Sequence, residues 1–334
     1  MPDSAFLRRR IRIGVTLLLL MAQGLVLAAP SSKKGVGTWS APNMDSLLKD
    51  VGVSWFYTWS PKTSIPSPSG CQFVPMVWNG VQVTAANLAD AKSSGAGILL
   101  TFNEPDNGPG QADMTPAQAL QLWKPLMDTG LRLGSPAVAG HADAAGSWQD
   151  QFMFGAKAAG YRVDFMCLHW YGDLYGSTPS DPASQVKSLK AFLESVHNKY
   201  GKPIWITEFA LVKWDPGANF PPFSDQARFV ELVIPMLESL PYLERYAWYA
   251  MLPNIGPGST NQLYEADGTL TVTGAAYRNT VASSVVIRRI DRDTCVSVLT
   301  GRPGSDGQGT PFTLLGRMSG HRSGSGGFSH RPSP

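Results

Sequence analysis

Eight short, unbroken apolar runs recur along this chain, each separated from the next by a stretch with helical character, and two of them end in a glutamate. The runs cover residues 35–39, 53–58, 73–78, 97–103, 132–135, 163–169, 204–207 and 245–249. A run of this length, rich in Val, Ile, Leu or aromatics and without polar alternation, suits a parallel strand that is covered on both faces. Strands alternating with helices at intervals of roughly 20 to 40 residues make βα units. Eight such units predict an α/β fold, the (β/α)8 TIM barrel, for which about 250 residues is the usual size.

The intervening stretches carry helix signals. Residues 43–49 follow Pro42, 84–92 are Ala-rich, and Thr115 with Pro116 supplies an N-cap and a first-turn proline before 117–127. Helices are also predicted over 149–159, 182–199 and 224–240, the last interrupted by Pro235.

Both ends of the chain differ from this body. Arg8, Arg9, Arg10 and Arg12 precede an apolar stretch at 13–22 and a small-residue pattern at Val26-Leu27-Ala28, which reads as a secretory leader over 1–29. The competing membrane anchor would have to span with residues 13–29, about the shortest length that crosses a bilayer, and Gln23 and Gly24 interrupt it. Secretion to the exterior or cell wall is therefore expected, with no membrane contact after cleavage. Residues 301–334 are dominated by Gly, Ser, Pro and Arg without a period, so the tail from 281 onward is expected to be largely disordered. The more apolar stretch 281–298 leaves room for a final helix or strand. The domains expected are thus a leader at 1–29, a barrel at 30–280 and a tail at 281–334.

The formal charge of +3 comes from these ends. Without the leader's four Arg and one Asp the chain has 24 basic and 24 acidic residues, and residues 30–280 hold 17 basic against 21 acidic. A mildly acidic body offers no footprint for nucleic acid. Cys71, Cys167 and Cys295 are too few and too scattered for a disulfide framework or a metal site, and Cys167, inside an apolar run, reads as a small buried hydrophobe. No metal or cofactor is expected, and a monomer is.

The chemistry sits in Thr101-Phe102-Asn103-Glu104-Pro105-Asp106 and Trp205-Ile206-Thr207-Glu208-Phe209. A lone Glu after a strand is ordinarily a cap or a surface ion-pair partner. Two, flanked by aromatics at the ends of strands four and seven, match what cleaving a glycosidic bond needs: one carboxylic acid to protonate the departing oxygen, one carboxylate to meet positive charge at the anomeric carbon. Asp106 is a possible second acid, though its place in the loop after Pro105 favours a structural or sugar-binding role. The barrel mouth also has many aromatics. Trp39, Trp55, Tyr57, Trp59, Trp78, Trp170, Trp205 and Trp248 fall in or beside strands, and alternation favours Trp59, Trp78 and Trp248 as sugar platforms over Trp205.

The phrases at 54–59, 73–78, 102–106, 134–137, 164–166, 168–171 and 206–209 together resemble the catalytic core of glycoside hydrolase family 128, within the retaining glycosidases of clan A. The resemblance covers residues 35–277. It implies a (β/α)8 enzyme that cleaves β-1,3-glucan with retention, often fungal and associated with cell walls. On it, Glu104 matches the acid/base, with a raised pKa, and Glu208 the nucleophile, kept ionised. Asn103 would either meet the sugar hydroxyl beside the reacting centre or serve as a structural residue of the strand-to-loop turn, and Tyr171 would donate to the nucleophile. His169 is either a substrate ligand or a satisfied core residue. Tyr57, Trp59, Trp78, Trp248 and Asp106 complete the substrate-binding set. The expected partner is a β-1,3-glucan polymer or oligosaccharide. The alternatives are a glucan-binding wall protein without catalysis and a clan A hydrolase of another β-glucan linkage.

Overall fold

The computed structural model describes residues 31–175, 180–214, 217–253 and 258–280, so the expected leader and tail lie outside the described residues. Each of the eight apolar runs holds or overlaps a strand: β1 (Lys34–Gly37), β2 (Trp55–Tyr57), β3 (Gln72–Phe73), β4 (Ile98–Leu99), β5 (Arg132–Leu133), β6 (Met166–Gly172), β7 (Ile204–Leu211) and β8 (Leu243–Trp248). Parallel pairing orders six of them as β3-β2-β1-β8-β7-β6 and joins β4 to β5 separately. Two parallel bridges complete the ring, Met76 to Leu100 beyond β3 and β4, and Gly134 to Phe165 between β5 and β6. Every strand therefore has two neighbours, and the sheet is a (β/α)8 barrel.

The barrel interior is filled from seven strands and made possible by the eighth. Trp55, Tyr57, Val74, Met76, Leu100, Ala137, Phe165, Cys167, Trp205 and Ala247 form one buried cluster, the layered filling that such barrels require. On β1 the corresponding positions are Gly35 and Gly37. A methyl group on Gly35 would lie 2.3 Å from the Trp55 indole, and one on Gly37 would lie 2.8 Å from Trp59. The two glycines thus vacate the volume that two tryptophans occupy.

The outward faces of the strands pack under helices α1 (Met44–Val51), α2 (Ala85–Ser93), α3 (Pro116–Gln121), α4 (Trp123–Met127), α5 (Trp148–Ala158), α6 (Pro182–Tyr200), α7 (Phe223–Ser239) and α8 (Val272–Asn279). The stretch expected as one helix at 117–127 divides at Leu122, although Thr115 and Gln118 make the anticipated N-terminal capping box. Helix α7 runs through Pro235 where an interruption was expected. Burial of Phe229, Val230, Val233, Ile234 and Leu237 outweighs the one hydrogen bond the proline removes. Helix α8 was not anticipated: it is short and contains Gly274, so its period is weak. Its Tyr277 hydroxyl donates to the Gly35 carbonyl at 2.6 Å and ties it to β1.

Candidate active site

Local backbone geometry brings both glutamates to the carboxyl end of the barrel. Glu104 follows the bridge between Asn103 and Ala137 and has φ 44°, a left-handed conformation uncommon outside glycine, held by its N–H donating to the Ala137 carbonyl at 2.7 Å. On β7 the register to β6 slips at Leu168/His169, and the register to β8 slips between Ile204 and Trp205 and again between Ile206 and Phe209. Ile204, Ile206, Phe209 and Leu211 all pack in the outer core, which strict alternation would forbid. The irregularity adds one residue, and Glu208 faces inward as a result.

The two carboxylates meet across a histidine. One polar atom from each of Glu104, His169 and Glu208 lies within 4.8 Å of the others. His169 Nδ1 is 2.9 Å from Glu104 Oε1, and its Nε2 is 3.5 Å from Glu208 Oε1. The Asn107 amide donates to Glu104 Oε2 at 3.2 Å. Three further donors converge on Glu208: Trp59 Nε1 at 2.8 Å and the Tyr57 hydroxyl at 3.3 Å on Oε1, and the Tyr171 hydroxyl at 2.5 Å on Oε2. These side chains are of types that also ligate metals, but a cation here would have to displace those donors, so the set fits hydrogen-bonded carboxylates better than an ion.

Burial pushes the Glu208 carboxyl up and the charge of Glu104 adds to it, so it stays above the ordinary value although His169, Tyr171 and Trp59 pull it down. Burial acts on Glu104 in the same direction, yet the hydrogen bond and charge of His169, with the Asn107 amide, hold it below the ordinary value. The raised Glu104 expected from the sequence is therefore not found. The reason is His169, whose own pKa burial would lower but whose two carboxylate neighbours raise it. Burial and the Glu208 charge push the Tyr57 and Tyr171 hydroxyls far up, so both remain donors.

Two clefts meet at this pair. One, of about 250 Å³, is lined by Trp39, Trp59, Trp78, Asn103, Gln111 and Tyr249 and reaches Glu208. The other, of about 360 Å³, runs past Glu104, Asn107, Ala139, Tyr171 and Trp214, and shares Gln111, Glu208 and Tyr249 with the first. Trp39 and Trp59 stack with centroids 6.2 Å apart, and Trp214 meets Tyr171 edge-on at 5.1 Å. Asn103 donates to Gln111 Oε1 at 2.9 Å and leaves its own Oδ1 without a hydrogen-bond partner among the described residues.

Of the residues singled out in the sequence, Glu104, Glu208, Asn103, Tyr171, Trp59 and Trp78 gather here. Four others are placed differently. Trp248 is fully buried in the outer core, its Nε1 donating to the Asn261 carbonyl, because it shares parity with the outward Tyr246 while Ala247 points inward. Tyr57 and His169 lie beneath the cleft with fully buried side chains and touch the carboxylates rather than its surface. Asp106 turns away: its Oδ1 accepts from the Ala139 N–H at 2.8 Å and pins the loop after β4 to the loop after β5. Tyr249, Trp214, Gln111 and Asn107 went unrecognised. Tyr249 has the inward parity of Ala247 and could have been found by counting from it, whereas the other three sit in loops with no period.

Comparison with known proteins fits this geometry. The family model described as glycosyl hydrolase catalytic core matches residues 35–277. An endo-β-1,3-glucanase of glycoside hydrolase family 128, subgroup I, from Amycolatopsis mediterranei, solved in complex with laminarihexaose, is 42% identical over 75% of this chain and 100% of that one, with a TM-score of 0.69. The chain belongs to glycoside hydrolase family 128. It is a glycoside hydrolase by that membership. A subgroup III member from Blastomyces gilchristii, a curdlan-specific exo-β-1,3-glucanase solved with glucose, is 28% identical over 75% of this chain and 99% of that one, with a TM-score of 0.59. Among curated proteins, alkali-sensitive linkage protein 1 of Schizosaccharomyces pombe is 29% identical over 234 residues, 68% of this chain. The chain spans 40% of the length of that relative.

Proposed function

We propose that this chain is a secreted, retaining endo-β-1,3-glucanase, with Glu208 as nucleophile and Glu104 as acid/base. The observation that carries the reading is the closeness of the two carboxylates in a cleft walled by aromatics. An oxygen of each lies within 4.8 Å of the other. A retaining pair stands about 5 to 5.5 Å apart, whereas inversion needs about 6.5 to 9.5 Å to admit a water between acid and base. The 42% identity to an endo-β-1,3-glucanase supports the substrate class. Endo action fits a site with a cleft on either side, so that a chain can enter from Trp39 and Trp78 and leave past Trp214. The Arg-flanked apolar leader supports secretion.

In the mechanism, Glu104 protonates the glycosidic oxygen as Glu208 attacks the anomeric carbon, forming a glycosyl ester and breaking the bond to the leaving sugar. Glu104 then takes a proton from water, which attacks the ester and frees Glu208. Trp59, Tyr57 and Tyr171 hold the nucleophile's charge in place until it is spent on the bond.

The test is incubation of the mature protein with laminarin, cello-oligosaccharides and the β-1,6-glucan pustulan. We expect reducing ends from laminarin fastest, with a ladder of internal products. Binding without release would make the protein a glucan-binding module, and equal or faster cleavage of pustulan would overturn the linkage.

A further inference from the structure

Double displacement sets a proton problem that the two carboxylates do not solve alone. The acid must arrive protonated and the nucleophile ionised, although both are buried and close together, and Glu104 is the one held low. The group between them is His169. Its side chain is fully buried, its Nδ1 lies 2.9 Å from Glu104 Oε1, and its Nε2 faces Glu208 Oε1 at 3.5 Å with no hydrogen-bond partner among the described residues. The register slip between Leu168 and His169 sets the ring in that gap.

We propose that His169 stores the working proton and delivers it to Glu104: a single transfer along the Nδ1 to Oε1 hydrogen bond converts a resting site into one ready for acid catalysis. The inference rests on the hydrolase reading above. In the resting form the imidazolium stands between two carboxylates. In the ready form Glu104 is the neutral acid, Nδ1 accepts its O–H, and the remaining N–H must be on Nε2, which points at Glu208. The step breaks one N–H bond, forms one O–H bond, returns the electron pair to Nδ1 and leaves the net charge unchanged. Glu208 is ionised in both forms. The ring thereby distinguishes two otherwise similar carboxylates, since only the one on Nδ1 can receive the proton.

Sugar supplies the trigger. A pyranose filling the clefts expels water, which disfavours three separate charges and favours the neutral pair of Glu104 and His169. Of the titratable groups around the ring, Glu104 and Glu208 face it directly and Asp106 acts through its charge. Tyr57 and Tyr171, which bond Glu208, and Cys167, two residues back on β6, keep their protons because burial raises each. His169 is a positioning residue here: it touches the acid and the nucleophile, and the sugar is reached through them.

The test compares pH profiles of kcat and KM for laminarin hydrolysis by the wild type and His169→Gln. We expect kcat near neutral pH to fall about 10²-fold, the scale of general acid catalysis, with KM little changed. The basic limb should move to lower pH by about one unit or more, because the proton is then held by Glu104 alone rather than shared. A dinitrophenyl β-laminaribioside, whose leaving group needs no proton, should lose far less. A limb that stays at the wild-type pH, with kcat uniformly reduced on both substrates, would leave His169 a structural residue and overturn the proposal. A wild type that releases nothing from laminarin would instead remove the hydrolase reading itself. Should His169→Gln not fold, ¹⁵N imidazole spectra of the wild type decide: the resonance that Glu104→Gln shifts should pass, on adding laminaritriose, from doubly protonated to protonated on Nε2 alone. A ring still doubly protonated in the complex would refute the transfer.

Discussion

The two ends of the barrel each set glutamate against tryptophan, buried at one end and one-third exposed at the other, and they treat the carboxylate in opposite ways. At the amino end, Glu244 near the start of β8 receives a two-pronged contact from Arg132 at 2.7 and 2.8 Å and the Trp205 indole N–H at 2.9 Å. The Arg245 guanidinium lies 4.5 Å from the Trp205 ring centre and donates to Gln72. At the carboxyl end, three residues further along β7 from that tryptophan, Glu208 meets an indole and two phenols but, among the described residues, no arginine. Arginine stays charged at any working pH and fixes a carboxylate permanently. Neutral donors and one histidine leave protons free to move. The floor carboxylate thus anchors the fold, and the mouth carboxylates stay poised for chemistry.

The contrast can be broken most severely at the mouth. Glu208→Ala and Glu104→Ala should each lower activity on laminarin by about 10⁴-fold or more, on the order of 5 kcal/mol of transition-state stabilisation, with melting temperature kept or raised because a buried charge is removed. Azide should restore turnover of an activated aryl glycoside by the Glu104 variant with retained configuration, since such a leaving group hardly needs an acid. An inverted azide product from that variant would exchange the two roles. Tyr171→Phe should cost about 10² in kcat by withdrawing one donor from Glu208, as measured by initial rates on the same substrates.

At the floor the effects should fall on stability instead. Glu244→Ala strands Arg132 and the Trp205 N–H. Because the pair is about one-third exposed, we expect a loss of roughly 2 kcal/mol, some 4 to 8 °C by calorimetry, with kcat of the folded fraction unchanged. The pH dependence sharpens this. Burial pushes the Glu244 carboxyl up, but Arg132 and the Trp205 N–H bring it below the ordinary range on folding. It therefore contributes stability above its unfolded value of about 4.3 and loses it as pH falls toward the lower folded value. Glu244→Gln should show a shallower drop in melting temperature over that acid window than the wild type. The smallest effect is expected at Asp106→Asn, which keeps the Ala139 contact and should change kcat by less than about threefold, within the usual range for a surface substitution. A large loss there would return Asp106 to the chemistry.

The sequence was most legible where one local rule decides the outcome. Unbroken apolar runs located all eight strands, and their ends located Glu104 and Glu208. Alternation misplaced Trp248, because position along a run was read without a neighbour of known facing, and Ala247 supplies that neighbour. The irregularity that turns Glu208 inward has no signature in Ile206-Thr207-Glu208-Phe209, since it arises from register against two other strands. The depression of Glu104 was illegible for a related reason. Its cause lies 65 residues away, on β6, and no spacing in the chain announces it.

One consequence attaches to Gly37. A single hydrogen in place of a side chain lets the Trp59 indole lie against β1, within 2.8 Å of Glu208. A position that does not touch the Glu208 carboxylate thereby governs how far that carboxylate's electron density is drawn toward its indole donor. Retuning the enzyme's reactivity need not begin with the residues that do the chemistry. It can begin with one methyl group, added where the barrel wall has been left bare.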